Sequence, residues 1–377
     1  MVHIPRHIQM LQPYIAGKPI EELAREKNLP RIVKLASNEN PHGPSPKALE
    51  AVTHSLGESF RYVDPGSYNL VHKLSERYGL PADRIICGSG VDALLSYIIT
   101  AFTEDGEEVL PSAGTFIGIY VNTNKHHRQL ATVPLKNYGY DLDALIDRIS
   151  PLTRILYLAN PNNPTGTIFG RKALESFLKR VPSDILVVLD EAYFTYARQN
   201  PDYPNGLTYD LENLIVTRTF SKDYGLAGLR IGFAVARPAL IKELYKVKLP
   251  FEPNYVAQQA AMAALDDDDF LHKTIAVNER NLARMAKRFG ELGIEQVHSD
   301  ANFILLLMPT EEFAIRFNLE CLNHGLIVRH VRSFGIANGI RINTGTDDET
   351  DFALKVVEEV YTTVKNSLST VPSVAKG

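Results

Sequence analysis

The chain of 377 residues has no tryptophan and only two cysteines, Cys87 and Cys321. These lie far apart and form no Cys-x-x-Cys pair. Neither a disulfide framework nor a thiolate metal site is therefore expected to organise the fold, and a reducing cytoplasm is the expected compartment. Long apolar runs are absent too. Nothing approaches the roughly 18 residues that cross a bilayer, and the first residues carry histidine, proline and arginine where a secretory leader would be apolar. No membrane role is expected. Charge of one sign is scarce: the formal net charge is -4, with 40 Lys and Arg against 44 Asp and Glu, and no basic block offers a footprint for nucleic acid. Metal-ligand patterns are missing as well. Pro5 stands between His3 and His7 and breaks the helix they would need, and Asp266-Asp-Asp-Asp269 lacks the alternation and the glycine of a calcium loop. What is present is a 45% hydrophobic sequence, large enough for one large domain and a smaller one. Its expected partners are small molecules or copies of itself.

From about Arg84 onward, short apolar runs alternate with helical periods, at 84–88, 108–110, 130–133, 154–158, 185–189, 214–217 and 231–235. Seven strands separated by helices predict an α/β fold with a mostly parallel seven-stranded sheet between helices. After the aspartate run the pattern becomes a long helix, a strand at 303–307, a helix, and strands at 325–328 and 339–343, which reads as a smaller α+β domain. The expected division is an N-terminal arm at 1–45 that packs on the small domain or on a neighbouring subunit, a large domain at 46–265, and a small C-terminal domain at 266–377. Only the tail from about Ser367 lacks pattern. Ligands in such sheets sit beyond the carboxyl ends of the strands, and each motif below begins where an apolar run stops.

The most informative stretch is Thr219-Phe-Ser-Lys-Asp-Tyr-Gly-Leu-Ala-Gly-Leu-Arg-Ile-Gly232. It sets Lys222 on a turn after an apolar strand. Thr219 and Ser221 supply hydroxyls, Gly225 and Gly228 allow close backbone approach, and Arg230 is a planar cation suited to phosphate. A lysine that is desolvated or placed near positive charge becomes a nucleophile able to condense with an aldehyde. Taken alone a lysine is a solvated surface charge; its neighbours make this one a candidate. Asp190-Glu-Ala-Tyr193 ends the run at 185–189. A carboxylate there either caps the next helix or needs a cationic partner such as a protonated ring nitrogen, and Tyr193 could donate to a phenolic oxygen on the same ring. Asn160-Pro-Asn-Asn-Pro-Thr-Gly166 is a rigid turn that presents Asn163 at a fixed angle. Gly88-Ser-Gly-Val-Asp-Ala93 follows a strand and opens a helix, so its amides can cradle phosphate. The same string fits a dinucleotide fingerprint, but Glu107 and Glu108 begin the next strand, where the fingerprint needs an acid at the end. The phosphate role alone is kept.

These strings, in this order and spacing, resemble the fold type I pyridoxal-phosphate aminotransferases over nearly the whole chain. Leu11-x-Pro-Tyr-x-x-Gly-Lys18, Leu35-Ala-Ser-Asn-Glu-Asn-Pro41, Arg61-Tyr62 and Leu249-Pro-Phe251 are similar to histidinol-phosphate aminotransferases within that superfamily. The resemblance implies pyridoxal 5'-phosphate held covalently by Lys222, which also moves the substrate proton. It implies Asp190 at the pyridine nitrogen, Tyr193 and Asn163 at the phenolic oxygen, and Phe116 stacked on the ring. Thr219, Ser221, Arg230 and the backbone of Val91 and Asp92 would hold the phosphate. Tyr62 would reach the phosphate of the other subunit, which makes a homodimer obligatory for activity. Arg341 would take a substrate carboxylate or phosphate, with Tyr14, Asn38 and Arg329 lining the same end and Arg332 competing with Arg329. The chain departs from many relatives at Val91, at Ala93 and in Ser112-Ala-Gly-Thr-Phe116, none of which removes a backbone contact. The implied reaction is amino transfer from L-histidinol phosphate to the 2-oxo acid acceptor 2-oxoglutarate. An aromatic amino-acid aminotransferase and a phospho-amino-acid decarboxylase would use the same cofactor contacts, and both stay open on sequence.

Overall fold

The computed structural model describes residues 2–11, 13 and 17–369. Tyr14, expected near the substrate, lies outside the described residues. In chain order the first strands are β1 (Val33–Lys34), β2 (Ile85–Gly88), β3 (Glu108–Pro111), β4 (Gln129–Leu130), β5 (Thr153–Ala159), β6 (Leu186–Asp190), β7 (Leu214–Thr219) and β8 (Gly232–Val235). Seven of them form one sheet in the order β2-β8-β7-β6-β5-β3-β4. Every pairing in it is parallel except those of β8, which runs antiparallel to β2 and β7. The seven expected strands are therefore all present. The run at 130–133 shrinks to the two residues of β4 plus an isolated bridge from Val133 to Ser112, since an edge strand has one partner and Pro134 cannot extend the ladder.

A strand buried on both faces reads as a continuous apolar run, and period-two alternation decides which face each side chain serves. In β5, Leu156 and Leu158 join the cluster on one face of the sheet, with Val187, Leu189 and Val216. Ile155, Tyr157 and Ala159 join the cluster on the other, with Val188 and Ile215. Truncating one such fully buried leucine to alanine costs about 2–5 kcal/mol, so burial on both faces stabilises the sheet alongside its hydrogen-bonded ladder.

The remaining strands are β9 (Glu295–Val297), β10 (Phe303–Leu307), β11 (Leu326–Ile327), β12 (Arg329–His330) and β13 (Gly339–Asn343). An antiparallel sheet runs β12-β13-β10-β9, while β1 pairs in parallel with β11 and so stitches the N-terminal segment to the C-terminal elements. β9 was not expected, being a short edge strand without alternation. Ile304, Leu306, Ile340 and Ile342 pack with Phe289, Phe313, Phe317 and Val357 from the helices Asp268–Glu291, Glu311–Asn323 and Asp347–Ser369. Arg341 lies between Ile340 and Ile342 and therefore projects from the opposite face, toward the large sheet. The last helix continues to Ser369, past the Ser367 where pattern was expected to fail. Among the described residues, no helix is long and apolar enough to cross a membrane. Cys87 and Cys321 are buried free thiols, and Cys87 belongs to the core of the large sheet.

Candidate active site

β2, β3, β5, β6 and β7 all end at the same edge of the large sheet, and each delivers one motif there. The result is a cavity of about 190 Å³ whose wall includes Lys222, Asp190, Tyr193, Asn163, Phe116, Thr219, Ser221, Arg230, Val91 and Asp92. Every candidate cofactor residue except Tyr62 is thus brought to one place.

One end of the cavity is an anion cradle. The helix Val91–Phe102 begins at Gly90 with no side-chain cap, so the amides of its first turn and the positive end of its dipole are available to a ligand. Arg230 Nη2 is 3.9 Å from Asp92 Oδ2, and its Nη1 is 3.5 Å from Ser221 Oγ. Gly90 has φ +87°, and a Cβ there would meet Arg230 Nη2 at 2.6 Å, which explains glycine at this position. Arg230 itself is held in the left-handed region at φ 56°, a strained backbone for a non-glycine residue. The Thr219 hydroxyl accepts from the Ser221 amide at 3.0 Å, which shapes the turn that carries Lys222. Lys222 Nζ donates to the Ser37 carbonyl at 3.2 Å and lies 5.7 Å from the Tyr193 ring centre.

The middle of the cavity is organised by Asp190. Its carboxylate is fully buried, and burial pushes its pKa up to about 6 against the pull of its hydrogen bonds. Oδ2 accepts from the Tyr157 hydroxyl at 2.7 Å and Oδ1 from the Ala192 amide at 3.1 Å. Tyr193, not Asp190, is the N-cap of the helix Phe194–Ala197, so the helix-capping alternative does not hold. Tyr193 packs edge-on against Phe303, and its hydroxyl accepts from Asn38 Nδ2 at 2.8 Å.

An adjoining cavity of about 140 Å³ opens past Lys222, Asn163 and Phe116 onto Asn38, Arg329 and Arg341. Arg341 is buried, donates to the Asn163 side-chain carbonyl and, at 2.7 Å, to the Ala36 carbonyl, and sits 5.3 Å from the Phe303 ring. Arg329 and Arg341 are register partners on β12 and β13, so the two guanidiniums leave the same face side by side. Two like charges set opposite each other are unfavourable alone and favourable around a shared anion. Arg332 is different. Its side chain is 68% exposed and pairs with Glu311 at 2.9 Å, whereas Arg329 lines the cavity. Tyr62 is 84% exposed and stacks on Phe251 at 4.4 Å, outside the cavity of its own chain.

Sequence reading missed the supports of the site. Asp223, next to Lys222, is a second fully buried carboxylate pushed up to about 6 by burial, and it accepts from Thr195 Oγ1 at 2.6 Å. Tyr157 lies under Asp190. The signal for Tyr157 was a hydroxyl in an otherwise aliphatic strand, because a buried phenol needs a partner. The partner could not be read from one strand.

A lysine turn, a buried strand-end carboxylate and an anion cradle on one edge of a mostly parallel sheet define a group-transfer enzyme site. The chain belongs to the aminotransferase class I and II family, which it matches over residues 30–357. Among its relatives, the histidinol-phosphate aminotransferase 2 of Pseudomonas fluorescens is 41% identical over 94% of this chain and 96% of its own length. The histidinol-phosphate aminotransferase of Moorella thermoacetica is 38% identical over 94% and 92%. Among solved structures, the histidinol-phosphate aminotransferase of Sinorhizobium meliloti in complex with pyridoxal-5'-phosphate superposes with a TM-score of 0.89, at 29% identity over 97% of this chain and 99% of that one. A double mutant of the aspartate aminotransferase from Thermus thermophilus, at 21% identity and a TM-score of 0.83, shares the fold.

Proposed function

We propose that this chain is a homodimeric, pyridoxal-phosphate-dependent enzyme of the cytoplasm that transfers the amino group of L-histidinol phosphate to 2-oxoglutarate. The observation that carries the reading is the junction of two anion sites across one lysine: the helix-end cradle with Arg230 on one side of Lys222, and the Arg329–Arg341 pair on the other. The donor set fits the cofactor. Asp190 is a buried carboxylate with no ion pair among the described residues, and a ring N–H would complete it. When bound, pyridoxal phosphate supplies an electron sink for the bond broken at the substrate α-carbon.

The residues then divide the work. Amides of Val91 and Asp92, with Thr219, Ser221 and Arg230, hold the cofactor phosphate. Phe116 covers one face of the ring. Asn163 has its carbonyl tied to Arg341, which leaves its NH2 to donate to the ring's phenolic oxygen beside Tyr193. Lys222 would hold the cofactor aldehyde, and its amine would move the substrate proton between the α-carbon and the cofactor carbon on the other side of the amino nitrogen. Arg329 and Arg341 take the substrate phosphate, and the buried Asn38 Oδ1, which has no hydrogen-bond partner among the described residues, accepts a substrate N–H. Glutamate and 2-oxoglutarate use the same arginine end through a carboxylate.

Phe60, Tyr62, Tyr68, Leu249 and Phe251 are exposed large side chains, with Tyr62 stacked on Phe251, and their exposure supports pairing with a second copy, through which Tyr62 reaches the neighbouring cradle. The division at 1–45, 46–265 and 266–377 belongs to the same proposal, with closure of the C-terminal part over the cavity excluding water. Half-reactions test the substrate. Purified enzyme is mixed separately with L-histidinol phosphate, L-phenylalanine and L-glutamate, and the absorbance of the lysine-bound cofactor is followed. Fast loss with histidinol phosphate is expected. Preference for phenylalanine would move the enzyme to aromatic amino acids, and carbon dioxide released from a phosphorylated amino acid would make it a decarboxylase.

A further inference from the structure

We propose that Tyr157 is a positioning residue that holds the Asp190 carboxylate as an anion aimed into the cavity, and so sets how strongly the site prefers a ring carrying a protonated nitrogen. The inference rests on the reading of Asp190 given above. Tyr157 is fully buried in the middle of β5, among Ile155, Val188, Ile215 and Ala234, where any hydroxyl is costly without a partner. In the parallel register Tyr157 lies opposite Val188 and Ala159 opposite Asp190. The phenol therefore reaches diagonally, two residues along the neighbouring strand on the same face, and its hydroxyl donates to Asp190 Oδ2 at 2.7 Å. Ala159 is small enough to leave that path open.

With the Ala192 amide on Oδ1, both carboxylate oxygens are gripped from the protein side. A carboxylate held in this way has one rotational setting and a stabilised charge. Asp190 lines the cavity, whereas Tyr157 is not part of its wall. Tyr157 therefore acts on a ligand only through Asp190.

The test compares binding of pyridoxal phosphate with binding of its 1-deaza analogue, in which a C–H replaces the ring nitrogen, to cofactor-free enzyme by titration calorimetry. Wild-type enzyme should prefer pyridoxal phosphate. Tyr157→Phe should weaken pyridoxal phosphate about tenfold, the value of one hydrogen bond to a charged group, and leave the analogue within about twofold. Tyr157→Phe combined with Asp190→Asn should discriminate no less than Asp190→Asn alone, and urea unfolding of each cofactor-free variant separates a folding defect from a change in ligand preference. Equal weakening of both ligands, or an additive loss in the double variant, would reduce Tyr157 to a packing role and overturn the proposal. A wild-type enzyme that binds both ligands alike would instead remove Asp190 from the ring nitrogen, and the reading of the cavity would fall with it.

Discussion

The lysine end of the cavity is carried by residues between Val91 and Arg230, all at the edge of one sheet, whereas the arginine end draws on Asn38 near the start of the chain and on Arg329 and Arg341 near its close. The first is fixed by a single hydrophobic sandwich, with buried clusters on both faces of β5, β6 and β7. The second exists only where the antiparallel sheet and the β1 segment meet that edge. Cofactor retention and substrate recognition should accordingly fail to different degrees, since they depend on different packing and meet only at Asn163, Tyr193, Phe116 and Lys222.

Lys222→Ala should separate the two ends most sharply. Turnover should fall by roughly 10³-fold or more while pyridoxal phosphate still binds without a covalent link, as single-turnover absorbance and equilibrium dialysis would report. Substantial turnover would remove Lys222 from the chemistry. Arg341→Ala should lower kcat/KM for histidinol phosphate by roughly a hundredfold with little change in cofactor affinity; equal losses in both would erase the distinction between the ends.

Asp190 offers a test by pH. Burial raises its folded-state pKa to about 6 from an ordinary value of 3.8, so the folded chain binds this proton more tightly than the unfolded chain. The stability contributed by the group is therefore present below pH 4 and lost as pH rises to 6. In the cofactor-free protein, Asp190→Asn should be more stable than wild type at pH 8 by about 3 kcal/mol, with the difference gone at pH 4, measured by urea unfolding. A variant that is destabilised at both pH values would contradict a strained carboxylate at the cavity floor. The smallest effects belong to the arginine end: Arg329→Ala should cost about tenfold in kcat/KM, whereas Arg332→Ala, which loses only a surface pair with Glu311, should stay within about twofold.

Legibility followed the same divide. The lysine end was readable because parallel strands announce themselves as apolar runs and their motifs follow immediately, as Asp190 follows Leu189 and Asn163 follows Leu158 within one turn. Arg341 was readable as a residue type but not as a neighbour. Only the antiparallel register brought it beside Arg329, and the turn Arg332–Phe334 sent Arg332 to solvent, because three positions can reverse a side chain's exposure where a strand gives way to a turn. The supports were invisible for another reason. Tyr157, in the middle of β5, under Asp190, and Thr195, in the helix Phe194–Ala197, on Asp223 are contacts between segments distant in sequence that no local pattern encodes.

Asn38 ties these parts together: its amide donates to Asn343 Oδ1, its carbonyl accepts from Asn302 Nδ2, and its side chain reaches the Tyr193 hydroxyl. For a ribosome delivering the chain from its first residue, the backbone of residue 38 has no acceptor until residue 343 has emerged. A nascent polypeptide that already contains Lys222 and the whole parallel sheet is still open at its arginine end. Catalytic competence is then the last property the growing chain acquires, so a truncated product would carry the reactive lysine without the means to select a substrate.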